Sequence, residues 1–134
     1  MISKNNSLHL RNILWAAVIF VLCTIPASKI PSSGWNIPLL DKIVHFFMFF
    51  VMAVLLYSEL NYRTSLKTFH IWIIIILICA VYGGVIEILQ ESYFHRTGDI
   101  WDWVADVLGT VAGCAAYLLF RKIKNCIFKT GRAR

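Results

Sequence analysis

Acidic residues are scarce in this chain. Its 134 residues include seven Asp and Glu against thirteen Lys and Arg, for a formal net charge of +6, and charged residues make up only 15% of it. Soluble domains carry about 25% charged and about 45–50% apolar residues. Here hydrophobic residues reach 59% and mean hydropathy is +0.70, which excludes an ordinary soluble domain. The length fits one domain. The positive excess does not mark a nucleic-acid binder, because the basic residues gather beside apolar runs instead of forming a stripe on a soluble fold. The three prolines, Pro26, Pro31 and Pro38, all fall in one segment and break the chain there. A cysteine framework is missing too. Cys23, Cys79 and Cys114 lie inside apolar runs, Cys126 sits in a basic tail, and no pair has zinc-like spacing, so they read as small buried hydrophobes.

What the chain has instead is four apolar stretches. Residues 10–27 form the first expected span. Its basic start and short apolar core also fit a signal peptide, but Pro26 precedes Ala27 and no small-x-small cleavage pattern follows, so a retained helix is expected. Residues 28–40 are a loop with Trp35 as an interfacial anchor. The second span covers 42–60, with Asp41 as its cap and His45 as its one ionisable group within the apolar run. The third covers 69–91 and is apolar on all sides through IWIIIILICAV. Gly98 breaks the next turn, and Asp99 and Asp102 open the fourth span, 101–124. The expected fold is all-α: an integral membrane four-helix bundle forming a single domain over 1–134.

Charge orients it. Lys4, Arg11, Arg63, Lys67, Arg121, Lys122, Lys124, Lys129, Arg132 and Arg134 fall on one side of such a bundle, and only Lys29, Lys42 and Arg96 on the other. The positive-inside rule then places both termini in the cytoplasm. Of the acidic residues only Glu59 falls on the cytoplasmic side.

Five of the other six acids concentrate in one stretch, Glu87 to Gly113, which holds Glu87, Glu91, Asp99, Asp102 and Asp106 between two apolar runs. A charge at the centre of a membrane helix costs at least about 2.5–3.5 kcal/mol on insertion scales, so these groups need partners. Counting turns, His45, Glu87 and Asp106 each lie one turn, about 6 Å, below the outer end of a different helix. Helical spacing also pairs Asp41 with His45, Glu87 with Gln90 and Glu91, and Asp102 with Asp106. Ala80 with Gly84, and Gly109 with Gly113, make small-x-x-x-small steps that let helices three and four approach. That approach brings Glu87 near Asp106, and two close carboxylates need a cation between them. Arg96 is the first candidate, with Lys42 and His45 next.

These residues resemble the VanZ-like family of small bacterial membrane proteins. The resemblance rests on DKIVHF (Asp41, Lys42, His45), the Glu87–Gln90 pair, and RTGDIWDWVADVLGTVAG, in which Arg96, Asp99, Asp102, Asp106, Gly109 and Gly113 keep the family's order and spacing. Many members carry Asn where Asp106 stands, so this chain adds a titratable group. The resemblance covers about residues 13–120. It implies a small helical protein of the bacterial cytoplasmic membrane, in a family named for a member that lowers susceptibility to teicoplanin, with no established reaction.

Plainer roles compete at each position. Asp99 and Asp102 can simply cap a helix. Glu87, Asp106 and His45 can lock helices together, and Lys42 can snorkel to headgroups. Trp35, Tyr93, Trp101 and Trp103 fit an interfacial belt, and His9 a solvated terminus. Three functions follow. The first is binding or shielding of an outer-leaflet component, a lipid-linked cell-wall precursor or a glycopeptide, through Asp41, Lys42, His45, Glu87, Gln90, Arg96, Asp99, Asp102 and Asp106. The second is an enzyme acting on such a lipid, with Glu87 or Asp106 as acid or base alongside His45; a divalent metal is compatible with these groups, but no nucleophile is evident. The third, a proton-coupled carrier, needs an oligomer. The sequence leaves the oligomeric state open, requires no cofactor and has no separate metal motif.

Overall fold

The computed structural model describes residues 4–25, 39–93 and 99–131. They form four helices: α1 Lys4–Thr24, α2 Leu40–Arg63, α3 Thr68–Tyr93 and α4 Ile100–Gly131. All four are long and apolar enough to cross a membrane. In lipid every backbone N–H and C=O must find a partner within the protein, which leaves a helix as the only local solution for such runs, β-branched residues included. At 32 residues, α4 is about 48 Å long and outruns a hydrocarbon core of about 30 Å. Its excess carries Arg121, Lys122 and Lys124, all exposed.

The helix ends follow local chemistry. Asp99 opens α4 by accepting the Trp101 N–H on Oδ1 at 2.9 Å, the expected cap. Thr64 closes α2, its N–H and hydroxyl both donating to the Leu60 carbonyl at 2.9 and 2.7 Å. Asp41 is not the cap of α2. Leu39 holds that place in a left-handed conformation (φ 68°) with no side-chain hydrogen bond. Asp41 stands inside the first turn, where its charge still meets the positive end of the helix dipole.

Within the described residues α2 and α3 each touch every other helix, and α1 and α4 lie on opposite sides of that pair. One stripe of α2 (His45, Met48, Phe49, Met52, Ala53, Tyr57) and one of α3 (Ile71, Ile75, Cys79, Gly83, Ile86, Gln90) are buried. Ile19 and Cys23 close the core from α1, and Cys114 from α4. The remaining faces leave many large apolar side chains exposed, the surface a lipid-bathed bundle presents.

Gly109 and Gly113 do not serve the α3–α4 contact. They bring α4 against α2: a Cβ on Gly109 would collide with the Phe46 carbonyl, and one on Gly113 with the Phe50 carbonyl and the Ala53 side chain. On α3 the tight position is Gly83. Its neighbour Gly84 meets the Trp103 ring at an ordinary 3.5 Å. Trp103 is not part of an interfacial belt, because its indole N–H donates to the Ala80 carbonyl at 2.9 Å and binds α4 to α3. Trp101 and Tyr93 are exposed; Trp35 lies outside the described residues.

Candidate functional site

Three helices deliver one ionisable group each to a common point about one turn inside the bundle. His45 of α2 and Asp106 of α4 are buried, and Glu87 of α3 is nearly so. His45 Nδ1 stands 3.0 Å from Asp106 Oδ1 and 3.9 Å from Glu87 Oε1. The other Glu87 oxygen accepts the backbone N–H of Asp99 at 3.0 Å, which ties the entry of α4 to α3. The Asp106 carboxylate reaches this position because residue 83 has no side chain: a Cβ there would meet Asp106 Oδ2 at 2.5 Å. Two oxygens in this cluster, Glu87 Oε1 and Asp106 Oδ2, are buried without a hydrogen-bond partner among the described residues.

A second layer lies nearer the surface. Lys42 donates to Asp99 Oδ2 at 2.6 Å and to Asp102 Oδ1 at 3.1 Å, so it bridges α2 to α4. The Lys42 hydrogen bond first, and the Trp101 N–H second, hold the Asp99 carboxyl below the ordinary aspartate range. A depressed carboxylate adds stability above its unfolded value and loses it only as pH falls through its folded one. This tie therefore persists through neutral and mildly acidic pH. Asp102 is buried and Asp41 exposed, and both bring an oxygen close to His45: ligand atoms of the three lie within 4.8 Å of one another.

Other expected members fall elsewhere. Gln90 points to α1, its amide donating to the Cys23 carbonyl at 2.8 Å. Arg96, the first candidate cation between Glu87 and Asp106, lies outside the described residues. His45 occupies that place within them.

Beside the cluster, between α2 and α4, runs a groove of about 630 Å³. Phe46, Phe47, Val104, Ala105 and Leu108 line it, with Trp101 near its mouth and Lys42 as the charged residue in its wall. On the α3 side, Glu87, Glu91 and Asp99 border a smaller recess of about 340 Å³.

The opposite end of the bundle holds a cluster that sequence reasoning missed. Glu59 is buried, and its Oε1 meets His9 Nδ1 at 2.6 Å and Arg63 Nε at 2.7 Å. Its Oε2 accepts from the Asn12 amide. His9 is therefore not merely solvated. The signal was the i, i+3 spacing of His9 and Asn12, which puts both on one face of α1. Replacing Glu59 with Ala removes an acceptor shared by three donors and leaves the buried Asn12 amide without it. The expected cost is about 1–3 kcal/mol, read as a lower thermal midpoint in detergent, whereas Glu91→Ala on an exposed position is expected to leave the midpoint in place.

Fold and site together define a multi-pass helical membrane protein with a buried imidazole–carboxylate cluster. The VanZ/LLP1 family pattern matches residues 3–121, and the chain belongs to that family. Among curated relatives, an uncharacterized protein of the fission yeast Schizosaccharomyces pombe is 31% identical over 109 residues, which cover 79% of this chain and 64% of that protein. The chain thus spans less than two thirds of that relative's length. No solved structure matches it.

Proposed function

We propose that this protein holds a lipid-linked envelope component at the outer leaflet, with the apolar chain in the α2–α4 groove and the polar head at Lys42. The observation that carries the reading is the groove itself: an apolar wall that ends at one cation held by Asp99 and Asp102. A phosphate-bearing head suits an ammonium already oriented by carboxylates. A relative in a fungus favours a ligand class wider than bacterial wall peptides. In a bacterial host, shielding such a lipid in the cytoplasmic membrane would lower glycopeptide susceptibility of the teicoplanin type.

The test is co-purification. Lipids retained by the detergent-purified protein are extracted and identified by mass spectrometry. Leu108→Trp, which fills the groove, is expected to remove a specific isoprenoid or acyl phosphate that the parent retains. Identical lipid profiles for parent and variant would defeat the reading. Its orientation is tested separately: a carboxyl-terminal alkaline phosphatase fusion is expected to be inactive and a green fluorescent fusion bright.

A second reading, an enzyme acting on the same lipid, is favoured by one observation. His45, Glu87 and Asp106 form an acid–base set beside the groove, with two carboxylate oxygens unpaired among the described residues. Of the hydroxyl side chains, Ser92 is exposed, and Thr110 spends its hydroxyl on the Asp106 carbonyl at 2.8 Å.

A further inference from the structure

We propose that His45, Glu87 and Asp106 form a binding site for one divalent transition-metal ion. Each residue offers one ligand atom, and the three atoms lie within 4.8 Å of one another. Two ligands about 2.1 Å from a metal, subtending about 90–135°, stand about 3.0–3.9 Å apart. The separations from His45 Nδ1 are 3.0 Å to Asp106 Oδ1 and 3.9 Å to Glu87 Oε1.

Hydrogen bonding supplies an independent observation. Asp106 is fully buried, yet among the described residues its Oδ2 has no partner, and neither does Glu87 Oε1, the oxygen turned towards His45. Buried carboxylate oxygens in native structures are paired with a donor or a cation. Lys42 is already committed to Asp99 and Asp102. With a neutral imidazole the three ligands carry two negative charges, which one divalent ion balances.

The surroundings fit an ion as well. Glu87 is fixed by the Asp99 N–H through the oxygen the metal does not use, and a ligand held by such a contact is pre-oriented. Asp41 and Asp102 lead from the surface towards His45, a path of carboxylates for an incoming cation. One imidazole with two carboxylates suits Zn²⁺, Mn²⁺ or Fe²⁺ over Ca²⁺ or Cu⁺. Three protein ligands leave a coordination position open, the pattern of reactive and not of purely structural metal centres.

The experiment uses the full chain in detergent, purified through a tag without histidine. Metal content is measured by mass spectrometry, and the chelator-treated protein is titrated with Mn²⁺ followed by electron paramagnetic resonance, and with Zn²⁺ followed by calorimetry. The expected result is about one ion per chain and a thermal midpoint raised by either metal. Glu87→Gln and Asp106→Asn keep side-chain volume, and each is expected to weaken binding about tenfold or more. Gly83→Ala, which pushes on Asp106 Oδ2 without altering a ligand, is expected to weaken it too. Glu59→Gln, at the far end, is expected to bind as the parent does. Absence of saturable binding by both metals overturns the site, as does unchanged affinity in Glu87→Gln and Asp106→Asn. The site does not rest on the lipid reading: Leu108→Trp is expected to retain the ion, so lost lipid with retained ion separates the two.

Discussion

Gly109→Ala is expected to destabilise the bundle by about 1–3 kcal/mol, and Gly109→Val by more. On an exposed helix the exchange of Gly for Ala gains up to about 1 kcal/mol. The sign reverses here because the new Cβ meets main chain: the Phe46 carbonyl carbon would lie at 2.9 Å and its Cα at 3.0 Å. A backbone cannot swing aside as a long side chain does, so α2 and α4 must separate, and packing at that contact is lost along their length. Gly84→Ala is the control, since its Cβ meets the Trp103 ring at ordinary contact distances of 3.5 and 3.8 Å; a neutral or slightly stabilising change is expected. Denaturant unfolding in detergent, followed by circular dichroism, reads both. If the two variants unfold alike, α2 and α4 are not in backbone contact at Gly109.

Asp106→Ala is the second large effect. The variant leaves the buried His45 Nδ1 without its 3.0 Å partner and empties a fully buried position, and about 3 kcal/mol is expected. Asp106→Asn keeps an oxygen facing His45 Nδ1 at the place where Oδ1 now stands, 3.0 Å away, and is expected to cost about 1 kcal/mol or less. The gap between the two variants measures the hydrogen bond and the filled volume together. Equal unfolding midpoints for Ala and Asn would mean that the pair holds nothing together. The same two proteins serve the metal titration, where the Asn variant is the informative one because it folds.

Much of the fold was legible, and for a physical reason. A run such as IWIIIILICAV has one low-energy state in lipid, so the existence and type of α3 need no tertiary information. Depth was legible too: His45, Glu87 and Asp106 are each about one turn from a polar boundary, and rise per residue is fixed. Facing was harder. Small-x-x-x-small steps state that a helix approaches something, not which neighbour. Gly109 and Gly113 fit either partner on paper, and α2 took them because Phe46 and Phe50 offer a backbone ridge there. Trp103 read as a belt residue from its position near a boundary, yet its N–H found the Ala80 carbonyl. Glu59 could be given a side of the membrane but no partner, because His9 and Asn12 are about 50 residues away in sequence.

Sequence by itself determined that this is a membrane protein of four helices, that Asp99 opens the last of them, and that acids and an imidazole lie at one depth. Those features depend on composition, spacing and local capping, all of which act within one helix. Tertiary structure decided that His45, not Lys42, stands between Glu87 and Asp106, that Lys42 turns to Asp99 and Asp102, and that Glu59 anchors α1. Each of those outcomes depends on the rotation of one helix about its axis relative to another. That rotation is set by which backbones can come closest, and no property of a single helix fixes it.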